Sequence, residues 1–506
     1  MIELAAKYSS LVEDTEIPLK RYAVTFLAIV SLRNFVEIFS DRSQLADVSF
    51  AGHAHFYLSY ICLALTLMVL FSTATGETVP RTARLIMVSF FFVLSAPIFD
   101  LLLSLGQGHK IAYLMTFDLE DILRRYLTYG GSFESAGITI GLKLEGVLVL
   151  TASYVYLKAK GLTTLKSLAS VLAIYTVVFV YALVPVIIRA LLGVFHVEAL
   201  LTDHMLYVKF YLLLSLAFTS LLAWRWNRRF CIDVLKHTRP SRQLHAQSML
   251  ALGLILGPRL VWSQDTFFDL LLVAISILFA CLFTIIINAL GDQESNRTAG
   301  RACCQAIGTI PLDTCRAIGI AAGLIALLFA GAVGYYTAFT LLLCMGLFYV
   351  YAMPPLRIKR IPILAKLPAT LGSLACVILG YTLASGEVID FPPLIIAWFL
   401  LCFAAAVNLI DVKDYEQDKR AGIRTLPVLW GLRRSQIVIG LLLLLAYVSA
   451  PFAFGQVYLI PPAAAVGLIQ CYLVGRRDYE EKPVFVVYLL SLVTLSAILW
   501  ISKGDV

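Results

Sequence analysis

Apolar runs of about 20 residues recur along this chain, each the length an α-helix needs to cross a bilayer. Six fall in the first half, at about 20–38, 56–75, 83–105, 137–157, 167–193 and 205–226. Nine follow, at about 247–264, 267–290, 313–333, 336–352, 363–384, 392–410, 435–452, 455–474 and 484–502. Backbone groups at bilayer depth find no water, so each run has to close its own hydrogen bonds as a helix. The expected fold is all-α: a polytopic membrane protein of about 15 transmembrane helices, six and then nine. Composition fits, at 60% hydrophobic and 14% charged, more apolar than a soluble chain of this size requires.

The loops sort by charge. Alternate connectors carry Lys20 and Arg21, Arg81 and Arg84, Lys158 to Lys166, and the run from Arg225 to Arg242. Later ones carry Arg297 and Arg301, Arg357 to Lys366, Lys413 to Arg434, and Arg476 to Lys482. Basic loops stay in the cytoplasm, which places the N-terminus there. The net charge of +8 follows from the same bias, and no nucleic-acid partner is read from it. The hydrophilic connector 225–246 marks a boundary between a domain at 1–230 and a second at 231–506. The ten cysteines lie mostly inside apolar runs, without the spacing of a zinc site or a disulfide framework.

Two polar stretches end apolar runs in the second domain. In Asn288-Ala-Leu-Gly-Asp292-Gln-Glu-Ser-Asn296-Arg297 the residues Asn288, Asp292 and Asn296 recur every four positions. In Asp411-Val-Lys-Asp414-Tyr-Glu-Gln-Asp418-Lys-Arg420 the carboxylates recur at three and four. On a helix each set forms one stripe. Carboxylates at the mouths of membrane helices are costly, and hard cations bridged by a phosphorylated ligand explain them economically.

These stretches carry a resemblance. Lys236-His-Thr-Arg239-Pro240 precedes the first span of the second domain, and Asn288-x-x-x-Asp292-x-x-x-Asn296 follows the second. Tyr351-Ala-Met-Pro-Pro-Leu-Arg357-Ile-Lys359-Arg360 follows the fourth. Asp414-x-x-x-Asp418-Lys-Arg-Ala-Gly422-Ile-Arg-Thr425-Leu-Pro follows the sixth. In this order and at these spans, residues from about 233 to the end resemble the UbiA superfamily of intramembrane prenyltransferases. Asn296 departs from it, standing where the family has a third carboxylate.

The resemblance implies magnesium-dependent transfer of a polyprenyl group from its diphosphate to an aromatic or lipid-like acceptor within the membrane. It implies catalytic and metal-binding roles for Asp292, Asp414 and Asp418, with Asn288, Asn296 and Asp411 as further metal ligands. Arg297, Arg301, Arg357, Lys359, Lys413 and Arg420 would hold the diphosphate. The chemistry needs such groups, because a leaving diphosphate gathers negative charge that divalent ions neutralise as Lewis acids. Phe348, Tyr349, Tyr351 and Tyr381 offer π faces for an allylic cation. Thr238, Arg239 and Asn408 also occupy family positions. Both stripes would face the cytoplasm.

The first domain is less informative. Arg33 and Glu37 are placed to pair, and Asp100, Lys143, Glu145 and Arg189 are expected to pair between helices. His53, His55, His109, His196 and His204 are expected on its outer side, without chelating spacing. The competing reading of the whole chain is a non-catalytic membrane protein whose transferase-like half binds lipid or a partner.

Overall fold

The computed structural model describes residues 2–14, 16–40, 49–131, 137–298, 310–361, 364–421 and 424–502, with side chains at 237, 293–298, 360, 417, 420, 421 and 502 left undescribed. The fold is all-helical, and fourteen helices among the described residues are long and apolar enough to span a bilayer. The chain is an integral, multi-pass membrane protein. The missing fifteenth span is the run at 247–264. It forms a helix of 17 residues, Pro240–Leu256, displaced toward the N-terminus. Gly257-Pro258 interrupts the apolar run and ends the helix, because proline withholds an N–H and restricts the residue before it.

The chain divides into two compact units, Met1–Cys231 with Ser263–Phe268, and Ile232–Trp262 with Asp269–Val506. In the first, six helices span: Leu19–Ser40, Phe50–Thr75, Val79–Leu103, Ile140–Ala159, Thr164–Ala182 and His204–Trp226. Phe50–Thr75 shows how local sequence sets the ends. Ser49 accepts from the Gly52 N–H at its start, and Gly76 closes it at φ +74°, a conformation glycine adopts without cost.

The charged side chains of this unit's spans find partners within and between helices. Arg33 and Glu37 pair at 2.7 Å. Asp100 accepts from the Gly141 N–H at 2.8 Å, and Glu145 accepts from the Ala96 N–H at 3.0 Å. Val79–Leu103 and Ile140–Ala159 are thus cross-braced by carboxylates on backbone. Lys143 likewise donates to the Gly131 carbonyl at 2.8 Å, and Arg189 lies over the Phe117 ring at 4.2 Å. Of the histidines expected on the outer side, His55 and His204 come together, and His55 is enclosed. It is 2% exposed, with Nε2 2.7 Å from the Tyr113 hydroxyl and Nδ1 3.0 Å from His204 Nδ1. The bundle supplies the partners that a lone imidazole in an apolar helix requires.

In the second unit, Pro240–Leu256 lies along Leu367–Ser385 and against Glu481–Ser502. The first contact is backbone to backbone. A Cβ on Gly253 would stand 1.9 Å from the Val377 carbonyl oxygen, and one on Gly380 2.1 Å from that of Leu250. Small residues at such crossings let helices approach where no hydrophobic force drives them together. The core around Met249, Val273, Ala326, Val377 and Phe399 is buried, while Leu324, Leu328, Phe339, Leu441 and Leu445 point outward, as a lipid-facing surface requires. The span Pro393–Glu416 is not uniform. A π-helical turn occupies Phe399–Phe403, and the helix breaks at Val407-Asn408 before resuming as Leu409–Ala421. Asn408 fills the break, its Nδ2 donating to the Ala405 carbonyl at 2.8 Å.

Candidate functional site

Both stripes lie at one end of the second unit, where helix termini and short connectors gather. Asp292 is carried by Gln264–Thr298, a 35-residue helix. Gly291 sets its position. A Cβ there would meet the Ala352 carbonyl oxygen at 2.4 Å, so only glycine lets this helix touch the end of Tyr335–Ala352. That contact brings Asp292 to the loop leaving Ala352. Lys359 donates to Asp292 Oδ1, and Arg357 Nη2 approaches the same oxygen at 3.5 Å. Asn288 Nδ2 points to Asp292 Oδ2 at 3.4 Å. Arg357 and Lys359 are buried, and a charge withdrawn from water needs such an opposite partner.

The loop itself is unusual. The Pro354–Pro355 peptide is cis, and Arg357 adopts φ +45°. Arg239, at the start of Pro240–Leu256, adopts φ +48°. For residues with a Cβ this conformation costs energy and persists only where the surroundings enforce it. Among the described residues of the second unit, the two non-glycine residues of this kind are both arginines at the polar end.

The second stripe sits on Leu409–Ala421. Asp411 is buried and accepts from Lys366 Nζ. Lys413 turns outward to Glu481 at 2.5 Å. Asp414 lies in the field of Lys413, Glu481, Arg242 and Arg239. Burial, together with the Asp411 and Asp414 carboxylates, pushes Asp418 up to about 6, against the opposing pull of Lys366 and Thr425. Like charges that cannot separate raise each other in this way, so this stripe is short of positive charge.

The two stripes converge. Asp292, Asp411, Asp418 and the Arg242 guanidinium all act on the Tyr351 phenol. Arg242 is a site residue that sequence reading passed over. Its side chain is exposed, within electrostatic reach of Asp414 and Tyr351. Among the described residues no three His, Cys, Asp or Glu side chains gather closely enough to chelate a metal unaided. Asn296, Arg297 and Arg420 have side chains outside the described residues, and Arg301 lies wholly outside them. Of the aromatic residues, Tyr351 belongs to the site. Tyr381 does not: its hydroxyl donates to the Asp390 carbonyl, about 15 residues and roughly 22 Å along the helix from Lys366.

Comparison with known proteins places this half of the chain. The model of the UbiA prenyltransferase family matches residues 246–493. The probable homogentisate phytyltransferase 2, chloroplastic, of Oryza sativa subsp. japonica is 30% identical over 168 residues, 29% of this chain and 44% of the relative. The protoheme IX farnesyltransferase of a Roseiflexus species is 30% identical over 234 residues, 43% of this chain and 42% of the relative. The chain therefore spans less than half the length of these curated relatives. Among solved structures, a UbiA homolog from Archaeoglobus fulgidus bound to GPP and Mg2+ is 22% identical, over 54% of this chain and 100% of its own, with TM-score 0.43. An apo UbiA homolog from Aeropyrum pernix K1 is 18% identical, over 51% and 97%, with TM-score 0.40. Residues 246–493, the stretch that carries both stripes, thus match the UbiA prenyltransferase family.

Proposed function

We propose that this protein is a magnesium-dependent prenyltransferase of the membrane, moving a prenyl group from its diphosphate to an aromatic or lipid-like acceptor. The convergence of both carboxylate stripes on Tyr351, with Arg242 beside them, carries the reading. The donor set fits a hard cation: Asp414 and Asp418 are half-buried oxygen ligands short of positive charge. With no complete chelate among the described residues, phosphate oxygens and water would fill the remaining positions. Bound magnesium would neutralise charge on the departing diphosphate.

The chain's own groups do the rest. Asp292 holds Lys359 and Arg357 together before donor arrives, and both cations are then within reach of a phosphate. Arg242 contributes from the opposite helix. Tyr351 and Phe348, whose rings lie 6.3 Å apart edge to face, offer π faces beyond the phosphates. The basic loops favour a cytoplasmic orientation of this end. A second reading has one specific support: Asn296 supplies no charge, and Asp292 is already neutralised by Lys359, so the first stripe can serve binding without turnover.

Purified protein incubated with labelled geranyl diphosphate, magnesium and an acceptor panel that includes homogentisate separates the two. The proposed reading expects a prenylated product, and loss of at least about 100-fold in turnover for Asp414→Ala and for Asp418→Ala with folding intact. Wild-type rates in both variants would overturn the assignment. Magnesium-dependent donor binding without product would favour the second reading.

A further inference from the structure

His245 belongs to no motif and lies outside the two stripes. It stands three residues beyond Arg242 on Pro240–Leu256, about 5 Å deeper in the bundle. Its Nε2 is 2.9 Å from Ser373 Oγ, and its Nδ1 is 2.8 Å from the Tyr488 hydroxyl oxygen. Three helices, Pro240–Leu256, Leu367–Ser385 and Glu481–Ser502, thus meet at one polar point.

Proton counting sets the direction of this chain. Ser373 Oγ has a single proton and donates it to the Ala369 carbonyl at 2.9 Å. It therefore accepts from His245 Nε2–H. A neutral imidazole protonated at Nε2 presents Nδ1 as an acceptor, so Tyr488 donates to it. All three hydrogen bonds are made this way, whereas the reverse tautomer forfeits the bond to Ala369. The phenolic proton of Tyr488 is then committed to a base, and its oxygen lone pairs remain available to a ligand.

The surroundings suit chemistry more than packing alone. His245 and Tyr488 are both only partly buried. The π-helical turn Phe399–Phe403 passes beside them, with the Phe403 ring nearly parallel to His245 at 6.3 Å. Such turns gather at functional sites. The backbone contact through Gly253 and Gly380 fixes His245 against Ser373, the rigidity a proton relay needs.

We propose that Tyr488, backed by His245 and Ser373, accepts the proton that the acceptor hydroxyl loses during transfer. The inference rests on the prenyltransferase reading above. The bond from prenyl C1 to the diphosphate oxygen breaks, and its electron pair leaves with diphosphate. An electron pair of the acceptor forms the new bond to C1. The hydroxyl proton passes to the Tyr488 oxygen while the proton of Tyr488 moves to His245 Nδ1. The resulting imidazolium is held by Ser373 until it returns its proton to water. Tyr488 is the catalytic residue; His245 and Ser373 are positioning residues.

Two measurements on the full-length protein test this. In the transfer assay with labelled geranyl diphosphate and homogentisate, Tyr488→Phe is expected to lower kcat by about 100-fold or more, the usual worth of general base catalysis. His245→Gln is expected to lower kcat with the donor KM within about twofold of wild type. Wild-type kcat in Tyr488→Phe would overturn the proposal. The second measurement needs no turnover: 15N NMR of histidine-labelled protein, with His245→Gln identifying the resonance. It is expected to show His245 neutral at pH 7 and protonated at Nε2, with its Nδ1 signal shifting in Tyr488→Phe. Protonation at Nδ1 would overturn the relay. If wild-type protein neither binds geranyl diphosphate with magnesium nor forms product, the prenyltransferase reading fails, and the relay fails with it whatever the tautomer.

Discussion

Replacing Gly291 by alanine is the sharpest test of how the first stripe is built. The new Cβ would lie 2.4 Å from the Ala352 carbonyl oxygen and 3.0 Å from its carbon. Ordinary contact begins near 3.4 Å, so one of the two helices has to retreat by about 1 Å. Backbone cannot rotate away as a flexible side chain can, and overpacking of this kind costs about 1–3 kcal/mol. Against it stands the gain of roughly 1 kcal/mol from replacing glycine within a helix. Gly346 supplies the control. It lies in Tyr335–Ala352, and its Cβ would meet nothing within 4 Å. Gly346→Ala is expected to stabilise by up to about 1 kcal/mol, so the two variants should differ by about 1–3 kcal/mol. At roughly 2–4 °C per kcal/mol, thermal unfolding in detergent resolves that gap. The retreat also separates Asp292 from Lys359, so magnesium-dependent binding of geranyl diphosphate should weaken in Gly291→Ala alone. Equal stability of both variants would refute the argument that close approach demands this glycine.

Other consequences are independent of it. Lys366→Met leaves Asp411 buried without its cation and is expected to cost about 3–5 kcal/mol in magnesium-free unfolding, most of it recovered in Lys366→Met/Asp411→Leu; an additive double variant would show that the pair is not coupled. In the first unit, the hydrogen bond from Lys160 holds Glu77 below its ordinary value. A depressed carboxyl stabilises the fold above its unfolded pKa, near 4.3, and that contribution vanishes as pH falls through the folded value. Unfolding midpoints between pH 6 and 3.5 should therefore fall less steeply for Glu77→Gln than for wild type, and equal slopes would count against the linkage.

Span positions were legible because bilayer depth leaves the backbone one solution, and apolar runs of fixed length record it. The single miss, at 247–264, came from a run whose Gly257-Pro258 breaks the helix while leaving the average hydrophobicity high. The stripes were legible because helical spacing alone puts Asp411, Asp414 and Asp418 on one face. Their partners were not. Lys366 and Asp411 are 45 residues apart, and Lys413 and Glu481 are 68 apart. Which lysine meets which carboxylate depends on how helix ends are stacked, and no local pattern encodes that. Arg242 read as one more cation of a basic connector, since its position over the site follows from the entry angle of Pro240–Leu256. His55 and His245 escaped for the same reason: their hydrogen-bond partners come from distant helices. A cue for His245 did exist in the pair Gly253 and Gly380, yet small residues in two separate runs do not announce that they touch.

The charges of the site explain why its halves are not equivalent. Asp292 holds the buried Lys359 and Asp411 the partly buried Lys366, so each is neutralised before any ligand binds. Among the described residues Asp414 and Asp418 have no pairing of that kind, and burial with repulsion from Asp411 and Asp414 raises Asp418 to about 6. A cation arriving from water gains most where negative charge is least compensated, so on the proposed reading Asp414 and Asp418 would hold magnesium more readily than Asp292. At Asp292 a cation would compete with Lys359 for the carboxylate, and the asparagine at 296 adds no charge to the stripe. A donor's phosphates would compete with Asp292 for Lys359 and Arg357, which would leave Asp292 available to hold a second cation. On this account the asparagine at 296 makes the first stripe responsive to the donor instead of permanently charged. Asn296→Asp should then raise magnesium affinity in the absence of donor and leave the dependence on donor shallower, which calorimetric titration with and without a diphosphate analogue measures directly; unchanged affinity without donor would refute this ordering.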